Sequence, residues 1–76
     1  MINEHERVVL NNAIPKLGLE AGDVGTVVHV HRNGLAFEVE FISLDGEISL
    51  VATVFSADLR PVHKREMPHA RQLAYA

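Results

Sequence analysis

The dipeptide Asn33-Gly34 constrains this chain more than any other feature in it. Asn-Gly is the preferred centre of a type I′ turn, because both central residues need positive φ and the turn matches the twist of the strands it joins. Alternating sequence flanks it: Val24-Gly25-Thr26-Val27-Val28-His29-Val30-His31 before, Leu35-Ala36-Phe37-Glu38-Val39-Glu40-Phe41-Ile42 after. With Asn33-Gly34 at the tip, Val30 pairs with Phe37, His29 with Glu38 and Val28 with Val39. That register puts Val28, Val30, Phe37, Val39 and Phe41 on an inward face, and Val27, His29, His31, Glu38 and Glu40 on an outward one. A slip of one residue exchanges the faces, so turn chemistry and pattern specify the same hairpin.

A second tight-turn signal, Ser43-Leu44-Asp45-Gly46, closes the third strand. With Asp45-Gly46 at its tip, Phe41 faces Leu50, Val39 faces Ala52 and Phe37 faces Val54, which brings a fourth strand, Ile48 to Phe55, onto the inward face. Upstream, Glu6 to Leu10 reads as a short first strand. Residues 11–21 have no sustained period; Pro15 lacks a ladder donor and Gly18 can take a left-handed turn, so an irregular loop tucks Ile14, Leu17 and Leu19 against the core. Downstream, Ser56-Ala57-Asp58-Leu59 reads as one helical turn with Ser56 as its cap, and Arg60-Pro61-Val62 as a short closing strand whose proline suits an edge.

The expected architecture is therefore all-β: a small five-stranded SH3-like barrel with one single-turn helix before the last strand. The alternative is a three-stranded meander completed by a second copy of the chain. Seventy-six residues allow a single core, here residues 1–62, and a chain this short is marginal without a staple or a partner. Beyond Val62 the apolar pattern breaks. Residues 63–76 read as a basic extension, expected to be flexible, with a helical turn or two over 70–76.

There is no cysteine, hence no disulfide and no thiolate chemistry, and no apolar run approaches a membrane span. A cytoplasmic protein with no membrane partner is the expectation. Residues 1–62 carry nine carboxylates against four Lys and Arg, a balance of −5, whereas residues 63–76 carry three cations against Glu66, a balance of +2. An acidic body suits phosphate backbones poorly, so nucleic acid is disfavoured as a partner, although the basic tail keeps a nucleic-acid-associated role as the alternative.

Glu6-Arg7-Val8-Val9-Leu10, Gly18-Leu19-Glu20-Ala21-Gly22-Asp23-Val24-Gly25-Thr26-Val27-Val28, Phe37-Glu38-Val39-Glu40-Phe41 and Leu59-Arg60-Pro61-Val62 together resemble a family of short bacterial proteins of unknown function with an SH3-like barrel. The resemblance covers about residues 6–62. It implies a barrel and an accessory or interaction role, and no established catalytic residue.

Chemistry is sparse. No nucleophile elbow, phosphate loop or His-Glu-x-x-His pair accompanies the hydroxyls and histidines, so no enzyme and no cofactor are expected. His29, His31, Glu38 and Glu40 share the outward face and form the one conceivable metal or ligand face, but a solvated surface with cross-strand charge pairs accounts for them more simply. One tyrosine and no tryptophan leave no aromatic platform for proline-rich peptides. The remaining signal is apolar: Val27 and Val51 line up with Glu40 across the central strands, flanked by Ile42 and Phe55. Such a strip marks a protein contact, with another copy of the chain as the first expectation and a cognate partner as the second, unless the loop or the tail folds over it.

Overall fold

The computed structural model describes residues 2–73. They form one five-stranded antiparallel sheet: β1 (Arg7–Leu10), β2 (Val24–His31), β3 (Ala36–Ile42), β4 (Ser49–Phe55) and β5 (Leu59–Pro61), in the order β4-β3-β2-β1-β5. Three single 3-10 turns are the only helical elements among these residues. The all-β, five-stranded architecture and the turn before the last strand are as expected. The meander is completed by the chain's own β1 and β5.

The β3–β4 hairpin has the expected register throughout, with Phe37 opposite Val54, Val39 opposite Ala52 and Phe41 opposite Leu50. Its turn is built by side chains. Ser43 Oγ donates to Asp45 Oδ1 (2.6 Å), which also accepts from the Glu47 amide (3.0 Å), while the Ile48 amide donates to Ser43 Oγ (2.9 Å). Those donors hold the Asp45 carboxyl below its usual range, Ser43 contributing most.

The β2–β3 hairpin departs from expectation at one point. His31 opposite Ala36, Val30 opposite Phe37 and His29 opposite Glu38 match, but the ladder then shifts, and Val39 faces Val27 and Glu40 faces Thr26. Val28 is the extra residue of a β-bulge, which bends and twists the strand at that point. The bulge reverses the two valines. Val27, expected outward, is an inward core residue with no exposed surface, and Val28, expected inward, is 39% exposed. The tip itself takes Asn33 (φ 58°) and Gly34 (φ 92°) into the left-handed region as the turn requires, and draws Arg32 (φ 47°) with them.

The bulge lies where β2 changes partners. Val24, Gly25 and Thr26 pair with Val9, Val8 and Arg7 of β1, and Thr26 onward pairs with β3. Gly25 is required there: a Cβ would stand 2.6 Å from Val39 Cγ1, 2.9 Å from the Glu40 carbonyl oxygen and 2.9 Å from Phe41 Cε1. β1 then pairs with β5, Val8 opposite Pro61 and Leu10 opposite Leu59, and the proline occupies a sheet edge.

The core gathers Val8, Leu10, Leu19, Val27, Phe37, Val39, Phe41, Ala52, Val54 and Leu59. Each fully buried aliphatic or aromatic side chain contributes about 1.5–3 kcal/mol relative to exposure. Ile14 and Leu17 pack against this cluster from the 11–21 loop, whose Gly18 is left-handed (φ 72°), as expected. Ser56 does not cap its turn: it is the turn's first residue, Phe55 takes the capping position, and no side chain bonds there. Residues 63–73 form no helix or strand. The helical turns expected over 70–76 are absent from 70–73; residues 74–76 lie outside the described residues.

Candidate functional site

The outward face of β2, β3 and β4 is assembled row by row from opposed residues. His31, Ala36 and Phe55 form one row, His29, Glu38 and Thr53 the next, then Thr26, Glu40 and Val51. Val27 is missing from this face because the bulge turns it inward, and Thr26 stands where the apolar strip was expected to continue. Ile42, Val51 and Phe55 are outward as expected, at 55%, 53% and 65% exposure. Of the expected strip, the members on β4 and at the end of β3 are therefore present and Val27 of β2 is lost.

Between the apolar side chains the face is polar and paired. Thr53 Oγ1 donates to Glu38 Oε2 (2.7 Å), and His31 Nε2 lies 2.7 Å from the same oxygen. Ser49 Oγ donates to Glu40 Oε2 (3.0 Å). The Thr53 hydroxyl and then the His31 ring hold the Glu38 carboxyl below its usual range, so it stays anionic at neutral pH. Neither hydroxyl was picked out in the sequence as part of this face. The alternation of β4, which places residues 49, 51, 53 and 55 on one side, was the signal that could have found them.

The four ligand candidates are close neighbours but do not converge. The rings of His29 and His31 meet edge to face with centroids 4.5 Å apart. His31 is engaged by Glu38, His29 leans toward Glu4 (Nδ1 to Oε2, 3.9 Å), and Glu40 turns to Ser49. Among the described residues, no three His, Asp or Glu side chains are grouped as a metal ligand set.

β4 is also an edge strand, paired with β3 on one side and, among the described residues, with nothing on the other. The hydrogen bonds from the Ser43 amide to the Ile48 carbonyl and from the Ser56 amide to the Leu35 carbonyl fix the phase of the ladder. By alternation, Leu50, Ala52 and Val54 spend their backbone groups on β3, and Ser49, Val51, Thr53 and Phe55 direct theirs to the open edge. These are the residues whose side chains are exposed. The strand runs seven residues without a charge or a proline. Natural edges are ordinarily shortened, charged or interrupted, as the other edge is: β5 has three residues, Arg60 and Pro61 among them.

The tail supplies the other cluster. Arg60 makes a two-pronged pair with Glu66 (2.9 and 2.7 Å), and the His63 amide donates to the same carboxylate. Together these hold Glu66 down at about 2. Arg71 clasps Asp23 from Nε (2.9 Å) and Nη2 (2.5 Å), donates to the Gly18 carbonyl (3.0 Å), and lies 3.5 Å from Glu20. Burial works to raise the Asp23 pKa, but the Arg71 and backbone hydrogen bonds outweigh it and the net shift is downward. A groove of about 490 Å³ runs between residues 68–73 and the wall made by Leu19, Phe41, Ile42, Leu44 and Leu50. Nothing in the sequence signals the Asp23–Arg71 pair, whose members are 48 residues apart.

No helix among the described residues is long and apolar enough to cross a membrane. No curated protein and no solved structure matches the chain. Residues 4–61, from just before β1 to the last residue of β5, match a family described as a domain of unknown function (DUF4926), and the chain belongs to that family.

Proposed function

We propose that this chain is a non-catalytic SH3-like β-barrel that serves as a protein-interaction or accessory module, docking its partner along the β4 edge. The observation that carries this reading is the contrast between the two edges of the sheet. β5 is short and interrupted by proline, whereas β4 offers seven uncharged residues, four outward pairs of backbone groups, and the exposed Val51 and Phe55 side chains. An added strand satisfies such an edge by backbone hydrogen bonds and gains specificity from alternate side chains. Burying Val51, Phe55 and the neighbouring Ile42 contributes about 1.5–3 kcal/mol each before the entropy of association is subtracted. The occupant is a second copy of the chain or a cognate protein.

The alternative, a nucleic-acid-associated role for the basic tail, has less support. Of the three tail cations, Arg71 is engaged by Asp23 and the loop carbonyl, which leaves the exposed Lys64 and Arg65 beside an acidic body.

A photo-crosslinking residue placed at position 51, in cells that carry the chain natively, tests the docking edge. The expected result is one discrete adduct, to a second copy or to another protein, that disappears when Phe55→Lys is added. No adduct at position 51, or one indifferent to Phe55→Lys, refutes the β4 edge as the contact.

A further inference from the structure

The charge laid along β4 narrows what can dock there. On the exposed face Glu40 accepts from Ser49 of β4 and Glu38 from Thr53 of β4, so both carboxylates stand over β3 and are held against hydroxyls of the edge strand. Read along its outward side, β4 presents an anion at Ser49, an apolar side chain at Val51, an anion at Thr53 and an apolar side chain at Phe55. Neither β3 nor β4 contains a lysine or an arginine. Of the two imidazoles beside Glu38 on β2, His31 is held by it and His29 stands opposite it and leans toward Glu4. Asp45 and Glu47 stand at one end of the strand and Asp58 just beyond the other.

A second copy meets this edge badly. β4 against β4 lays two such faces side by side, and neither β3 nor β4 of the second copy brings a lysine or an arginine to meet Glu38 and Glu40 of the first. Strands in a sheet lie about 4.8 Å apart, so the two β3 strands of such a pair are about 14 Å apart, beyond the roughly 8 Å over which salt screens. What disfavours a second copy is the cations it lacks, not repulsion. A phosphate backbone meets the same obstacle.

We infer, resting on the reading of β4 as a docking edge, that its occupant is an extended segment of another protein whose outward residues alternate basic and apolar. The basic residues lie beside Ser49 and Thr53, where Glu40 and Glu38 receive them, and the apolar ones beside Val51 and Phe55. The intervening residues face the Leu50 and Ala52 side of the edge. Main-chain hydrogen bonds to Val51 and Thr53 set the register, and the two carboxylates set the choice of sequence.

Two seven-residue peptides test this by NMR titration of the isotopically labelled full chain. One carries lysine at its first and fifth residues, leucine at its third and seventh, and threonine between. The other has glutamate in place of both lysines. The expected result is shifts in the amides of β4 and of its neighbours on β3, with the lysine peptide binding about fivefold tighter, as two exposed opposite-charge pairs imply. Glu38→Gln combined with Glu40→Gln should bring the two peptides to parity, since glutamine still accepts from Ser49 and Thr53. If that variant fails to fold, added salt replaces it and should weaken only the lysine peptide. Equal binding of both peptides at β4 overturns the basic-strand inference and leaves the docking edge standing. Concentration-dependent shifts of β4 without peptide do the same, in favour of a second copy. An unmoved β4 in every titration overturns both.

Discussion

Adding one methyl group at Gly25 should destabilise the fold, although alanine is ordinarily the better strand residue. The new Cβ meets three atoms under 3.0 Å: Val39 Cγ1, the Glu40 carbonyl oxygen and Phe41 Cε1. None yields easily. Val39 has no exposed surface and is stiff at χ1, Phe41 is buried in the core, and the Glu40 oxygen belongs to a strand paired on both sides. Overpacking of this kind costs about 1–3 kcal/mol. The loss of glycine's freedom in the unfolded chain returns about 0.4–1 kcal/mol. The net expectation for Gly25→Ala is a loss of about 1.3 kcal/mol, against a total stability of about 4–11 kcal/mol for a chain of this length. In a domain of this size that lowers the melting temperature by about 5–10 °C. Thermal unfolding followed by circular dichroism reads it directly, with an amide spectrum to confirm that the sheet persists. An unchanged or raised melting temperature would refute the close approach of β2 to β3 and the bend that produces it.

The bulge predicts an asymmetry between adjacent valines: Val27→Thr buries a hydroxyl and should cost about 1–3 kcal/mol, while Val28→Thr should stay within about 0.5 kcal/mol in the same melts. An unbulged hairpin would reverse that order. Glu66 should titrate near pH 2 by carboxyl-carbon NMR, and Arg60→Ala should move it up toward the usual 4.5, since the Arg60 hydrogen bonds are the main cause of the shift. Because the folded-state value is depressed, the pairing stabilises the fold above about pH 4.5 and is lost as pH falls from there toward 2. Arg71→Ala should raise the Asp23 pKa, leaving burial to dominate, and should release residues 67–73 from the body, seen as falling heteronuclear NOE values. Replacing His29 and His31 together by alanine should change stability little, and zinc should leave the melting temperature of the parent unmoved; a saturable zinc-dependent rise abolished by that double variant would make the face a ligand site.

The parts of the fold legible in the sequence are those where two independent signals coincide. Asp45-Gly46 and the alternation on either side of it name the same pairs, and the β3–β4 register follows to the last residue. On β2 the signals part company at Val27-Val28. Two adjacent valines fit either face, so hydrophobicity cannot register an inserted residue there. Gly25 was the available hint, because a glycine inside a strand marks a bulge or a close approach, and here it accompanies both. Of the outward strip, Ile42, Val51 and Phe55 could be read because they lie on β3 and β4, whereas Val27 depended on carrying the phase through the bulge. The open edge rests on strand order, and strand order depends on long-range pairing of β1 with β5, which no local pattern encodes. The tail's anchorage is the extreme case, a charge pair between a loop and a segment with no periodicity of its own.

The antiparallel pairing of β1 with β5 brings the two ends of the family unit together, with Val8 beside Pro61. Neighbouring strands are about 4.8 Å apart, so a linker of two or three residues spans the gap. A unit whose ends meet can be spliced into a surface loop of a host protein without prying that loop open, and it can be circularly permuted, closed at Val8 and Pro61 and opened at the exposed Asp45-Gly46 turn. Under tension applied at its ends, β1 and β5 would peel apart one hydrogen bond at a time rather than shear together. The module is thus suited to being carried as an insert, and poorly suited to bearing load between two neighbours in a chain.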